Sequence, residues 1–357
     1  MACQARRNAA LGWPLTYRIL ALMDAPLQSS STPSQPMQQA LDLAAQALRI
    51  TSPNPRVGCV IVDASGQVIG QGHTQRAGGP HAEIMALQDA AARGHSVAGA
   101  TAYVTLEPCS HQGKTGPCCD ALIQAKLSKV VAALTDPNPQ VAGQGFERLR
   151  AAGLKVQVGD GAAQAAAQNP GFLSRMTRQK PWTRLKIAAS LDGQTSLTNG
   201  QSQWITGPDA RADGHAWRAR ACAVLTGIGT VLEDDPVLDL RLCTQLENPP
   251  RIPHLVIVDS RLDTPIHAKL FKHTGPKALT PRQVWIYGAV NQPEKKAALE
   301  ALGAQVTILP NPQGKVDLKA LMHDLARREV NELHIEAGHK LNGSLIREGC
   351  VDELLVY

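Results

Sequence analysis

Aromatic side chains are scarce in this sequence: three Phe, four Tyr and five Trp among 357 residues. Proteins that grip single-stranded nucleic acid stack its bases on aromatic rings, so a groove of that kind is poorly supplied. The net charge is +6, but lysines and arginines are scattered and no run reads as a nucleic-acid arm. The expectation is no nucleic-acid partner. No apolar segment is long enough to span a membrane. The nearest approach, LGWPLTYRILALM after Arg6 and Arg7, is broken by Pro14 and Arg18, and no cleavage site follows it. A disulfide framework is also missing. Of eight cysteines only Cys109, Cys118 and Cys119 cluster; others, such as Cys59 in VGCVIV and Cys222 in ACAVLTG, stand alone in apolar runs. Isolated thiols read as buried cysteines in reducing surroundings. These absences predict a cytoplasmic protein with no membrane partner.

What is present suffices for real cores: 43% of the residues are hydrophobic and 18% charged. The length favours two domains. Residues 1–35 end in the polar stretch QSSSTPSQP and read as a mobile N-terminal extension. A helix starts near residue 37, with Met37, Leu41, Ala44, Ala45 and Leu48 on one face and Ser34 and Pro36 as start signals. VGCVIV and QVIGQGH flank Asp63-Ala64-Ser65-Gly66, a hairpin pattern. From there strands and helices alternate to residue 160, which predicts a layered α/β domain over 36–160. Residues 161–181 read as a linker, in part helical and broken by Pro170 and Pro181. A second alternation fills 182–357.

One stretch carries most of the chemistry. His81 follows Pro80, Glu83 stands two residues on, and Cys109 and Cys118 follow with eight residues between them. A histidine and two thiolates can hold a zinc ion and leave its fourth position open to water. A glutamate that is not a ligand can then move protons between that water and a leaving amine. Residues two apart do not share a helix face, so His81 and Glu83 converge only if His81 sits at the helix entry. Cys118 opens the next helix, where a thiolate is favoured. Cys119 is the alternative thiol at that point. A closed structural zinc site with His111 as fourth ligand would leave Glu83 without a role, so His111 is read as a substrate or loop hydrogen-bonding residue. His73 and His95 are read as solvated or structural. In the second half, Gly227 and Gly229 in LTGIGTV lack the third glycine of a dinucleotide fingerprint. They are either a phosphate-facing loop or an ordinary turn, and Glu336-Ala337-Gly338 is a similar switch from strand into helix.

With HAE followed by TLEPCSHQGKTGPCC, the first half resembles the deaminase part of the bifunctional RibD family of riboflavin biosynthesis. The eight-residue gap between the cysteines is similar to that family rather than to zinc deaminases at large. Pro53-Asn54-Pro55, Val57-Gly58, Gln75-Arg76-Ala77-Gly78, Asp136-Pro137-Asn138-Pro139 and Val141-Ala142-Gly143 extend the match. Departures are Lys114, Gly116 and Thr74, where the family often has arginine, proline and histidine. KIAASLDGQT, SQWITG, RARACAVLTGIGTVLEDDP, IVDS, IEAG and VDELLVY resemble the family's reductase part.

The resemblance implies a cytidine-deaminase-like three-layer α/β domain followed by a dihydrofolate-reductase-like α/β domain. It implies Zn2+ on His81, Cys109 and Cys118, with Glu83 as proton shuttle, and NADPH as reductant. Matching positions for the nucleotide are Ala188, Trp204, Thr230, Asp234, Ser260 and the run Gly338, His339, Lys340, Leu341, Asn342, Gly343, Ser344. Matching positions for the substrate, a phosphorylated pyrimidine, are Ser202, Arg218, Leu238, Arg241 and Glu336. Arginines can fork onto phosphate, Gly338 permits close backbone approach, and Lys186 is a further polar candidate. A homo-oligomer is expected. The family pattern continues several tens of residues beyond Tyr357. The sequence therefore predicts a reductase sheet lacking strands, with its last strand at an edge, and leaves open a second domain that serves only in assembly.

Overall fold

The computed structural model describes residues 32–111, 116–139, 141–190, 192–195, 205–240, 251–272 and 282–357. The chain builds two sheets. The first comprises β1 (Gly58–Val62), β2 (Val68–His73), β3 (Thr101–Val104), β4 (Lys129–Ala132) and β5 (Lys155–Val158), in the order β2-β1-β3-β4-β5. β1 runs antiparallel to both β2 and β3, while β3, β4 and β5 are parallel. The β1–β2 hairpin turns where the sequence places it. The Asp63 carboxylate accepts from the Ser65 and Gln67 backbone N–H groups, which supplies the turn with the bonds the ladder lacks.

Four helices accompany this sheet: α1 (Gln35–Gln46), α2 (Ala82–Ala92), α3 (Cys118–Gln124) and α4 (Gln144–Ala151). They divide between two apolar clusters. Met37, Ala40 and Leu41 of α1 pack with Val60 and Val131, whereas Ala82 and Ala86 of α2 and Leu122 of α3 pack with Cys59, Ile61 and Val130. Residues 59–61 alternate between those clusters, as a strand's period of two requires. Helices on both faces make three layers. α1 begins close to its expected start, but Ala45 is exposed and Ala40 takes its place on the buried face. Ser34 does not cap α1; its hydroxyl and backbone N–H donate to Asp160.

The expected linker is largely helical. α5 (Ala162–Gln168) and α6 (Pro170–Arg178) occupy it, and the break falls at Pro170 as expected: it is the first residue of α6, where its missing N–H costs nothing. Phe172 joins the core of the first domain.

The second sheet is parallel throughout. Its strands are β6 (Trp182–Ile187), β7 (Ala223–Gly227), β8 (His254–Val258), β9 (Val284–Gly288), β10 (Ala304–Ile308), β11 (Glu332–Ile335) and β12 (Glu353–Val356), ordered β10-β9-β8-β7-β11-β6-β12. β7 and β8, buried along nearly their whole length, read as continuous apolar runs because both faces are covered. The helices are α7 (Pro208–Arg220), α8 (Ile228–Asp234), α9 (Pro293–Glu300), α10 (Leu318–Arg327) and α11 (His339–Arg347). β12 is the edge strand of the described sheet and pairs with β6. The strand order reverses around β7 and β11. At such a switch point, loops from the carboxyl ends part and leave a crevice.

Candidate active sites

His81 is the residue before the first turn of α2, with extended backbone (φ −77°, ψ 168°), while Glu83 lies inside that turn. This break in conformation lets two side chains only two residues apart face one point. Cys109 comes from the loop after β3, and Cys118 is the first residue of α3. His81 Nδ1 is 3.6 Å from Cys109 Sγ and 3.4 Å from Cys118 Sγ. One ligand atom from each residue falls within a 4.8 Å group. Cys119 points away: its thiol donates to the Pro108 carbonyl at 3.1 Å and it is fully buried. The choice that the sequence left open between the adjacent thiols is thereby decided by helix phase.

The electrostatics suit a cation. A hydrogen bond from Cys118, and then one with His81, holds the Cys109 thiol down at about 4, while donation to Cys109 and burial push Cys118 up. One proton is thus shared between two thiols, and a dication bound by both would displace it. The donor set, two sulfurs and an imidazole nitrogen, is the chemistry zinc selects. His111 does not join this group among the described residues, so three residues, not four, converge where a metal ion could be held. Glu83 is 4% exposed; burial, and then the Cys109 charge, raise its carboxyl to about 7.

His81, Glu83 and Cys109 line a cavity of 220 Å³, which His111, Asp136 and Asn138 also reach. The sequence reading gave neither Asp136 nor Asn138 a role. Their loop is organised by Glu107, another residue it passed over. The buried Glu107 carboxylate accepts from the backbone N–H groups of Asp136, Gly143 and Gly145 at 2.8–3.0 Å. A buried carboxylate needs such donors, and the acidic residue one position before Pro108 was the available signal. Thr74 is buried at the cavity wall and bonds the Val57 carbonyl. Lys114 lies outside the described residues.

The expected positions of the second site gather at the crevice. Ala188 follows β6, Thr230 and Asp234 lie on α8 after β7, Ser260 follows β8, and Gly338–Ser344 open α11 after β11. Those four strands are neighbours in the sheet. Ser202, Trp204 and Arg241 lie outside the described residues. Arg218 forks onto the Glu336 carboxylate (2.7 and 2.9 Å) and bonds the Asp239 carbonyl, so its guanidinium is engaged by protein rather than presented free to a phosphate. Leu238 has φ +52°, and Arg282 donates to the Val237 and Leu238 carbonyls. Arg282 is a further residue the sequence reading missed. At Gly338 the protein itself leaves room: an added Cβ would sit 3.8 Å from Thr230 Oγ1. Gly227 is closely packed, since a Cβ there would lie 3.0 Å from Leu341 on α11. The first-turn N–H groups of α11 have no side-chain cap, and Thr226 Oγ1 and Asn342 Oδ1 are buried without a hydrogen-bond partner. A helix start of that kind accepts an anion, so the crevice fits a phosphate-bearing cofactor.

Fold and site together define a class: a hydrolytic deaminase domain of the zinc type, joined to a parallel α/β domain with a nucleotide crevice. The comparisons agree. Residues 30–134 match the cytidine and deoxycytidylate deaminase zinc-binding region, and residues 181–357 match the RibD C-terminal domain. The riboflavin biosynthesis protein RibD of Escherichia coli (strain K12) is 44% identical over 90% of this chain and 86% of its own length. The RibD of Haemophilus influenzae is 43% identical over 93% and 87%. Acinetobacter baumannii RibD superposes with a TM-score of 0.80 at 41% identity, covering 90% of this chain and 85% of that one. A Thermotoga maritima structure, described as a diaminohydroxyphosphoribosylaminopyrimidine deaminase/5-amino-6-(5-phosphoribosylamino)uracil reductase, gives 0.75 at 31%, covering 90% and 84%. This chain belongs to the RibD family, the bifunctional deaminase–reductases of riboflavin biosynthesis.

Proposed function

We infer that the chain carries out two consecutive reactions on one phosphorylated pyrimidine. The first is hydrolytic deamination of 2,5-diamino-6-ribosylamino-4(3H)-pyrimidinone 5′-phosphate. The second is NADPH reduction of the ribosyl side chain, giving 5-amino-6-ribitylaminouracil 5′-phosphate. The observation that carries this is the convergence of His81, Cys109 and Cys118 beside a buried Glu83, in a chain whose second half matches the RibD C-terminal domain. That match argues against a second domain serving only in assembly.

In the first site His81, Cys109 and Cys118 would hold Zn2+, which when bound acidifies water and makes it nucleophilic. Glu83 takes a proton from the attacking water and returns it to the amine nitrogen. A C–O bond forms, the C–N bond breaks and ammonia leaves. A carboxyl near 7 accepts and donates with similar ease at neutral pH. In the second site Thr230, Asp234, Ser260 and the start of α11 would hold NADPH, which supplies hydride to the sugar C1′. Arg218, Glu336 and the Leu238 segment position the ribotide; the protein's contribution is orientation. Among the described residues no helix is long and apolar enough to cross a membrane. The six described cysteines are all free, which supports the cytoplasmic reading.

The test is an assay of the purified chain with the diamino ribotide and NADPH, following ammonia and NADPH separately. Both signals are expected, ammonia first. Absence of ammonia would sink the first assignment. Absence of NADPH oxidation with the deaminated ribotide would sink the second.

A further inference from the structure

The loop 51–57 between α1 and β1 forms part of the deamination cavity, to which Asn54, Pro55 and Val57 contribute wall. The bonds that hold this loop come largely from outside the first domain. The Pro53 carbonyl accepts from Asn331 Nδ2 at 2.9 Å and from Arg175 of α6 at 3.2 Å. Arg175 Nε also donates to Asn331 Oδ1 at 2.6 Å, which closes a triangle. The Arg56 backbone exchanges two hydrogen bonds with the Asn169 side chain, and its guanidinium pairs with the Glu332 carboxylate. Asn331 and Glu332, at the entry to β11, are 4% and 1% exposed. Glu332 is fixed on its other oxygen by Arg184 and Arg220 at 3.1 and 2.7 Å. Asn331 is fixed by its carbonyl, which accepts from Trp182 N–H at 2.8 Å. Gly171 lets α6 approach: an added Cβ would meet the Asn331 carbonyl oxygen at 2.5 Å. Phe172 and Met176 of the same helix complete the cavity wall.

A loop has few internal hydrogen bonds, so its position is set by what it docks against. Here the docking partners include, beside Asn169 and Arg175, two rigidly held side chains of the other domain. We propose that Asn331 and Glu332 are positioning residues for deamination: through Pro53 and Arg56 they set the wall of the first domain's substrate cavity. The proposal rests on reading that cavity as the deamination site. Both residues are remote from the second site. Glu336 is at the far end of β11, four residues and roughly 13 Å along the strand, so the reductase crevice is not perturbed directly.

The experiment uses the full chain with Asn331→Ala. The KM for the diamino ribotide is expected to rise about tenfold, the effect of losing one buried hydrogen-bonding group. The kcat for ammonia release, the zinc content and NADPH oxidation with the deaminated ribotide are expected to hold. That split reports a misplaced binding wall. A residue that served only stability would lower the fraction of active molecules, so kcat would fall at constant KM; that result, or an unchanged KM, overturns the proposal. Should the alanine variant not fold, Asn331→Asp is read by the same criteria. It keeps the acceptor for Arg175, whose guanidinium then faces the new charge, and replaces the donation to Pro53 with carboxylate–carbonyl repulsion. Wild-type chain that releases no ammonia fails at the underlying reading instead, and is told apart because the defect precedes any substitution.

Discussion

At the scale of single residues, the two glutamates Glu83 and Glu332 show how surroundings divide one side-chain type into two roles. Both are buried. For Glu83, burial and a neighbouring thiolate act in the same direction and raise the carboxyl to about 7. It is poised for proton transfer, and Glu83→Gln keeps size and zinc ligands while removing the shuttle. Ammonia release is expected to fall about 10²–10⁴-fold with zinc content unchanged, measured by metal analysis beside the assay. For Glu332, burial would raise the carboxyl, but Arg56, Arg220 and Arg184 outweigh it and hold it well below the usual range. A depressed folded-state pKa means stability that is present above the unfolded value, about 4.3, and is lost as pH falls toward the folded one. Glu332→Gln leaves Arg184, 1% exposed, with less compensation, and is expected to cost about 3–5 kcal/mol at neutral pH. Thermal melts across pH should show wild type losing its advantage below about pH 4, where the variant curve runs flatter.

At the scale of elements, the zinc cluster depends on how closely α2 lies on β2. Gly70 and Gly72 permit it. An added Cβ would meet the Ala86 carbonyl oxygen at 2.3 Å from Gly70, and the Met85 Cβ at 2.4 Å from Gly72. Backbone cannot yield as a flexible side chain does, and overpacking of this kind costs on the order of 1–3 kcal/mol or more. Gly70→Ala should push α2 outward, carrying His81 and Glu83 with it. The expected outcome is weaker zinc retention in a chelator competition and lost ammonia release, with NADPH oxidation on deaminated ribotide retained. Equal loss of both activities would mean that α2 is not the element displaced. The sequence read QVIGQGH as a strand correctly, from its alternation and the turn before it. That its two glycines serve α2 was not legible, because nothing in a strand pattern says which helix will cover it.

At the scale of the whole molecule, the two sites use different chemistry and different supports. The first needs a metal; the second needs a crevice at the carboxyl ends of parallel strands. Removing zinc with a chelator should therefore abolish ammonia release while NADPH oxidation of the deaminated ribotide continues, and added Zn2+ should restore the first. Simultaneous loss of both would show that the metal also holds the domains together. Structurally, the domains meet through α6 and the arginine cluster on Glu332, not through a loose tether. The sequence showed two prolines in that stretch and suggested a linker. Pro170 does break it, but into two helices: it ends α5 and starts α6, since proline is tolerated at a first turn and not in an interior.

The sequence by itself determined the alternation of strands and helices, the presence of two domains, and the residue types that meet at His81, Cys109 and Cys118. These rest on local periodicity and on residue chemistry, which survive without coordinates. Tertiary structure alone decided that Cys118 and not Cys119 faces His81, because helix phase at an entry turn is fixed by packing. It alone showed Arg218 held by Glu336, Gly227 packed closely against Leu341, and Glu107 as the organiser of the 136–145 loop. Each of these joins residues far apart in the chain, and a contact of that range is set by how layers stack, which no single stretch encodes.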